Sequence, residues 1–146
     1  MDLAGNTVTR RSQTGILIFV NRAPVIWYSE RQNTVEVSTI GNEITAMKNA
    51  VELIEGLRYK LCMFGVPING ATNIICDNEA VTKNCSDPTS TLKKKHHLIA
   101  YHSNCEAVAA STCRITKEDT ETNLSDLFTK KLGHCKREGF LDKFTY

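Results

Sequence analysis

The chain has 146 residues, 41% of them hydrophobic and 23% charged, enough to bury a core and to exclude a disordered or fibrous polypeptide. Eighteen Lys and Arg against sixteen Asp and Glu leave a net charge of +2, too balanced to identify a nucleic-acid partner by charge alone. Nothing resembles a signal peptide and no apolar run approaches a membrane span. The expected location is therefore intracellular, cytoplasm or nucleus, with no membrane partner, and the six cysteines, several of them in apolar runs such as Leu61-Cys62-Met63 and Ile75-Cys76, are expected as buried free thiols in a reducing compartment.

Residues 15–20 (Gly-Ile-Leu-Ile-Phe-Val) form a continuous β-rich apolar run and predict a buried strand. A turn at 21–24 precedes a second strand at 25–29, the partner in a hairpin. Residues 34–38 either extend the sheet or lead into a helix. From 39 to 61 the period changes: Ile40, Ile44, Met47, Val51, Ile54, Leu57 and Leu61 recur at three and four, predicting an amphipathic helix with Gly56 as its weak point. Residues 64–67, with Gly65 and Pro67, end it.

Residues 72–76 predict a short strand closed by Asp77 and Asn78, and 79–84 the start of a helix. A loop follows at 86–90, with Pro88, then a helix over 94–110 and a strand at 113–116. A helix over 122–132 stopped by Gly133 is expected next, and a last helical turn or two over 136–144. A hairpin followed by strands alternating with helices predicts one α/β domain, 1–146, whose mixed sheet is covered by helices. The core is expected over about 2–132, with 133–146 a helical tail.

Three patches each carry one acid: Glu43, Asp77 and Asp126. Gathered by the fold, such carboxylates can hold hard divalent cations, which take oxygen ligands. Each also has a plainer reading. Glu43 shares the helical face of Ile40, Met47 and Ala50, which directs it toward the sheet, or else it is a wet first-turn acid favoured by the helix dipole. Asp77 is a strand-end ligand or the N-cap of the next helix. Asp126 is a ligand or the partner of Lys130 in an i,i+4 surface pair. Glu79, Glu106, Glu118, Asp119 and Glu121 are expected as solvated charges, and Lys93 to Lys95 as a solvated run or a phosphate-contacting patch. A zinc site from His102, Cys105, His134 and Cys135 can be drawn, but its spacing fits no common finger.

In order and spacing, a series of short patches resembles the ribonuclease H domain at the end of copia-type retrotransposon polyproteins. They are Asp2-Leu3-Ala4-Gly5, Arg11-Ser12-Gln13-Thr14-Gly15, Pro24-Val25-Ile26-Trp27, Ser38-Thr39 with Glu43 and Ala46, Cys76-Asp77-Asn78, Lys95-His96 with Tyr101-His102, and Leu124-Ser125-Asp126-Leu127-Phe128-Thr129-Lys130.

The resemblance implies a ribonuclease H-like fold, a mixed sheet of about five strands flanked by helices. It implies metal-dependent cleavage of the RNA strand of an RNA–DNA hybrid, within a larger polyprotein that includes reverse transcriptase. Four acids would coordinate two Mg²⁺ ions, with Mn²⁺ an alternative: Glu43 on a helix, Asp77 at a strand end and Asp126 last. Arg11, Thr14, Asn78 and Lys95 would contact the nucleic acid. The family's opening Asp would precede Met1, with part of the first strand. Asp2 lies two residues further on, on the same strand face but displaced by roughly 7 Å. Gly41 stands where an acid is usual, Leu98 and Ala100 replace polar and basic residues, and Lys131 replaces a usual Pro. An active ribonuclease H domain, a catalytically inactive relic or nucleic-acid-binding module with the same fold, and an unrelated α/β module all remain open on the sequence.

Overall fold

The computed structural model describes residues 12–32, 39–86, 98–119 and 121–143. Asp2, Arg11, Lys95, His96, His97 and the segments 34–38 and 87–90 lie outside the described residues. The fold is α/β with small sheets, and the chain divides into two compact units, 1–42 with 122–146 and 43–121.

In the first unit, β1 (Gln13–Val20) pairs antiparallel with β2 (Ala23–Arg31) through a turn at Asn21 and Arg22. Asn21 takes φ 57°, a left-handed conformation that Asn tolerates better than most side chains. Alternation decides which face of β1 is inside: Thr14, Ile16 and Ile18 are buried, while the residues between them are half-buried. Ile16 pairs with Tyr28 and Ile18 with Ile26, and the register slips between Ile18 and Phe19.

The other face of the hairpin meets a 3₁₀ helix, Leu124–Phe128, at Gly15. A methyl group there would lie 2.6 Å from Thr129 Cγ2 and 2.8 Å from the Ser125 carbonyl oxygen, so only glycine fits without a shift. Ser29 Oγ donates to the Phe128 carbonyl at 2.7 Å and fastens the same contact.

The helix expected over 122–132 is therefore corrected to this five-residue 3₁₀ segment. Asn123 caps its start, its side-chain oxygen accepting from Ser125 N at 3.1 Å and Ser125 Oγ at 2.7 Å, and Asp126 N and Thr129 N donate to carbonyls three residues back, Asn123 O and Asp126 O, both at 3.2 Å. Gly133, expected as a stop, is instead the N-cap residue of α4 (His134–Leu141), the final helix of this unit.

α1 (Thr39–Met63) is the long helix that the periodicity predicts, and it runs through Gly56. In the second unit its residues Ile44, Met47, Val51 and Ile54 are all buried, a stripe at three- and four-residue spacing. Gly65, at φ 72°, ends it: Gly65 N donates to the Cys62 carbonyl and Val66 N to the Leu61 carbonyl, at 2.9 and 3.0 Å. Arg58 Nη1 then ties the helix to Gly70 O and Thr72 Oγ1, both at 3.0 Å.

β3 (Thr72–Cys76) pairs in parallel with β4 (Cys113–Lys117), with α2 (Glu79–Ser86) and α3 (Leu98–Ala109) between them in the chain. A parallel pair needs such a crossover, and helices supply it here. Ile74, Ile115, Val81, Cys85, Ala107 and Cys113, with the aromatic ring of Tyr101, complete the largely aliphatic interior with the α1 stripe. Asn104 is its buried polar member, donating to the Ile44 carbonyl at 3.1 Å. Among the described residues the strands form two two-stranded sheets, one antiparallel and one parallel.

Candidate functional site

The C-terminal ends of β3 and β4 lie side by side because Cys76 pairs with Lys117. Strand ends of this kind, where the chain leaves a parallel sheet, are where open α/β proteins place ligands. Asp77 follows β3, Glu118 and Asp119 follow β4, and Glu118 N extends the ladder by donating to Cys76 O at 3.0 Å. A cavity of about 700 Å³ opens there, lined by Glu43, Asp77, Asn78, Glu79, Lys117, Glu118 and Asp119.

Two of the three acids singled out in the sequence thus share one cavity. Glu43 arrives half-buried from the first half of α1, and Asp77 from the strand end. The thiol of Cys76 registers both: burial pushes it up to about 11, a backbone hydrogen bond at Asn78 opposes this, and the charges of Glu43 and Asp77 raise it further.

The capping alternative for Asp77 fails. Asn78 is the residue that caps α2, its Oδ1 accepting from Ala80 N at 2.9 Å and Val81 N at 3.4 Å. Asn78 also lines the cavity, with its side-chain oxygen committed to the cap.

Glu79, Glu118 and Asp119, expected as ordinary solvated charges, line the same cavity. Lys117 joins them and is the residue that the sequence reading missed. Its ammonium lies 2.8 Å from Glu79 Oε2, while Lys83 lies 2.7 Å from Glu79 Oε1. Those two lysines hold the Glu79 carboxyl down to about 2, and Glu79 in turn raises the Lys117 ammonium.

Asp126 belongs to the other compact unit. It sits in the 3₁₀ helix at 1% exposure, so the expected pairing with Lys130 exists but is not a surface pair. Lys130 Nζ lies 2.9 Å from Oδ1 and 3.0 Å from Oδ2. Thr14, expected at a nucleic-acid surface, is likewise buried at 1% and accepts from Gln32 Nε2 at 2.9 Å. Among the described residues no three His, Cys, Asp or Glu side chains form a metal-ligating group, the drawn zinc set included. All six cysteines are free: Cys85 and Cys113 are buried as expected, whereas Cys62 and Cys135 are exposed.

Against known proteins, the chain is 26% identical over 142 residues to the retrovirus-related Pol polyprotein from transposon RE2 of Arabidopsis thaliana. It is equally similar to that from transposon RE1 of the same plant, and 28% identical over 138 residues to that from transposon TNT 1-94 of Nicotiana tabacum. Its homologues are plant retrotransposon Pol polyproteins. These alignments cover 97%, 97% and 94% of the chain, which spans about 10% of the length of each relative. No protein-family model matches the chain. No solved structure matches it either.

The similarity to Pol polyproteins supports a retrotransposon-derived region. The match takes in the whole of the cavity, since it extends over nearly all of the sequence. No helix among the described residues is long and apolar enough to cross a membrane.

Proposed function

We propose that this chain is a retrotransposon ribonuclease H domain that cuts the RNA strand of an RNA–DNA hybrid with the help of Mg²⁺ or Mn²⁺. The carrying observation is that Glu43 and Asp77, remote in sequence, face one cavity at the ends of a parallel strand pair. The donor set suits a hard cation because it consists of carboxylate oxygens. Two carboxylates are also a sufficient protein share for Mg²⁺, which keeps several waters and takes further oxygens from substrate phosphates.

In this reading Glu43 and Asp77 hold the metal. Bound there, a divalent cation would polarise the phosphodiester and make water a stronger nucleophile. The resemblance adds Asp126 as the last acid, Asp2 near the opening position and a second ion. It also supplies the setting, a larger polyprotein with reverse transcriptase. The chain's own work is to hold negative oxygen ligands at the cavity and to keep them fixed: Glu43 through the helix whose stripe is buried beneath it, Asp77 through the strand ladder and the capped helix on its two sides.

The test is cleavage of a labelled RNA–DNA hybrid by the full chain in Mg²⁺ or Mn²⁺, beside Asp77→Asn. Metal-dependent cutting that falls to background in the variant is expected. A folded chain that cuts nothing would end the enzymatic reading.

One observation favours a second reading, a catalytically inactive relative that keeps the fold. Asp126 is ion-paired through both oxygens to Lys130, so a metal there would have to displace an ammonium already in place.

A further inference from the structure

Lys117 ends β4, opposite Cys76 and beside Asp77, and it is the one basic side chain among the described residues that line the cavity. The other ionisable lining groups are Glu43, Asp77, Glu79, Glu118 and Asp119, all acids. A polyanion approaching such a cavity is repelled unless cations meet it.

Lys117 is built to do so at little cost. Its partner Glu79 is shared: Lys117 holds one carboxylate oxygen and Lys83, one turn along α2, holds the other. When Lys117 leaves, Glu79 therefore keeps a counterion. Both side chains of the Lys117–Glu79 pair are about half exposed, at 53% and 52%, so water and salt already weaken their attraction. The lysine stem is flexible and its ammonium is a compact charge suited to a phosphate oxygen.

We propose that Lys117 is a phosphate-contacting residue of the Glu43–Asp77 cavity, exchanging Glu79 for a backbone phosphate of the bound nucleic acid while Lys83 retains Glu79. This rests on the ribonuclease H reading for the identity of the substrate. The remaining contact that each phosphate makes with a lysine has a measurable signature, because every neutralised phosphate releases counterions and steepens the salt dependence of binding.

The experiment is binding of a fluorescein-labelled RNA–DNA hybrid to the full chain, followed by anisotropy in Ca²⁺ buffer between about 50 and about 200 mM KCl. Lys117→Ala should bind more weakly and lose about one unit from the slope of log affinity against log salt. Lys117→Arg, which keeps the charge, should restore the slope. Glu79→Gln, which frees the lysine, should tighten binding. Circular dichroism checks that each variant is folded, and the retained slope of the Arg variant and the tighter binding of the Gln variant are outcomes that a folding defect would not produce. If the parent binds and Lys117→Ala keeps the parent's slope, this inference is overturned and the nuclease reading stands. If the parent binds no hybrid, both fall together.

Discussion

The two compact units bury different chemistry. In the unit built from 43–121 the interior is aliphatic and sulfur-rich, from Ile44, Met47, Val51 and Ile54 to Ile74, Val81, Cys85, Ile115 and Cys113, with Asn104 its buried polar residue among those described. In the other, Ser12, Thr14, Gln32, Asn42 and Asp126 are buried beside Ile16, Ile18 and Phe140. There Asn42 Nδ2 donates to Ser12 Oγ at 2.8 Å, and Gln32 Nε2 donates to Thr14 Oγ1 at 2.9 Å and to the Asn42 carbonyl at 3.0 Å. An aliphatic interior tolerates small changes in shape, whereas a polar one depends on each partner being present. The acids divide in the same way. Glu43 and Asp77 stand at an open cavity above an aliphatic interior, while Asp126 is enclosed and neutralised by Lys130.

The largest expected effect lies in the aliphatic unit. Ile44 is fully buried at the head of the α1 stripe, and its carbonyl receives the Asn104 amide. Ile44→Ala should lower stability by about 2–5 kcal/mol, the range for truncating a buried aliphatic residue and leaving a cavity. Urea unfolding followed by circular dichroism reads this directly. A loss below about 1 kcal/mol would mean that the site collapses around the smaller side chain and that the interior is less tightly packed than its burial implies.

A smaller loss is expected from the polar unit. Asn42 is fully buried and joins the Ser12 hydroxyl to the Gln32 amide through its side chain and its carbonyl. Asn42→Ala leaves Ser12 Oγ without that donor and should cost about 1–3 kcal/mol. Asn42→Ala combined with Ser12→Ala removes both ends of the bond and should cost less than the sum of the single changes, because neither partner is then left bare. Strict additivity in the double-mutant cycle would show that the bond contributes nothing of its own, and the contrast between the units would lose its polar half.

The sequence made the aliphatic unit legible and left most of the polar one hidden, for a physical reason. Burial of Ile, Val and Met imprints a period, so α1 was predicted as a long helix from its stripe, and the strand at Thr72–Cys76 appeared with the same bounds. Burial of Ser, Thr, Gln and Asn imprints none, because the same residues populate surfaces, turns and caps. Thr14 therefore looked like a surface residue, and the polar residues around Asn123 gave no sign that the helix expected there would be a five-residue 3₁₀ turn. At the cavity, the positions of Glu43 and Asp77 on their own elements were legible, but the company they keep was not. Lys117, Glu118 and Asp119 join them only through the parallel register of Cys76 with Lys117, and strand pairing over such a span leaves no local mark in the chain. A basic residue closing a strand that follows a βα segment is the one signal that could have pointed to Lys117.

The smallest effect separates the units by pH. Burial raises the thiol of Cys85 to about 12 and that of Cys76 to about 11, and both belong to the aliphatic unit. A thiol whose folded value is raised keeps its proton in the folded state while the unfolded chain ionises from the ordinary value near 9. The folded form then holds more protons, so these thiols leave stability unchanged below about pH 8 and lower it as pH rises from about 9 toward 11–12. At pH 10 the loss from Cys85 alone should be on the order of 1 kcal/mol. Cys85→Ala costs some stability at every pH through its lost packing, but it should lose less than the parent between pH 7.5 and pH 10. Comparing that difference in urea midpoints cancels the lysines and tyrosines that ionise in both proteins. An identical alkaline loss in parent and variant would mean that water reaches the Cys85 sulfur, and that the interior between α2 and α3 is wetter than the aliphatic packing around it requires.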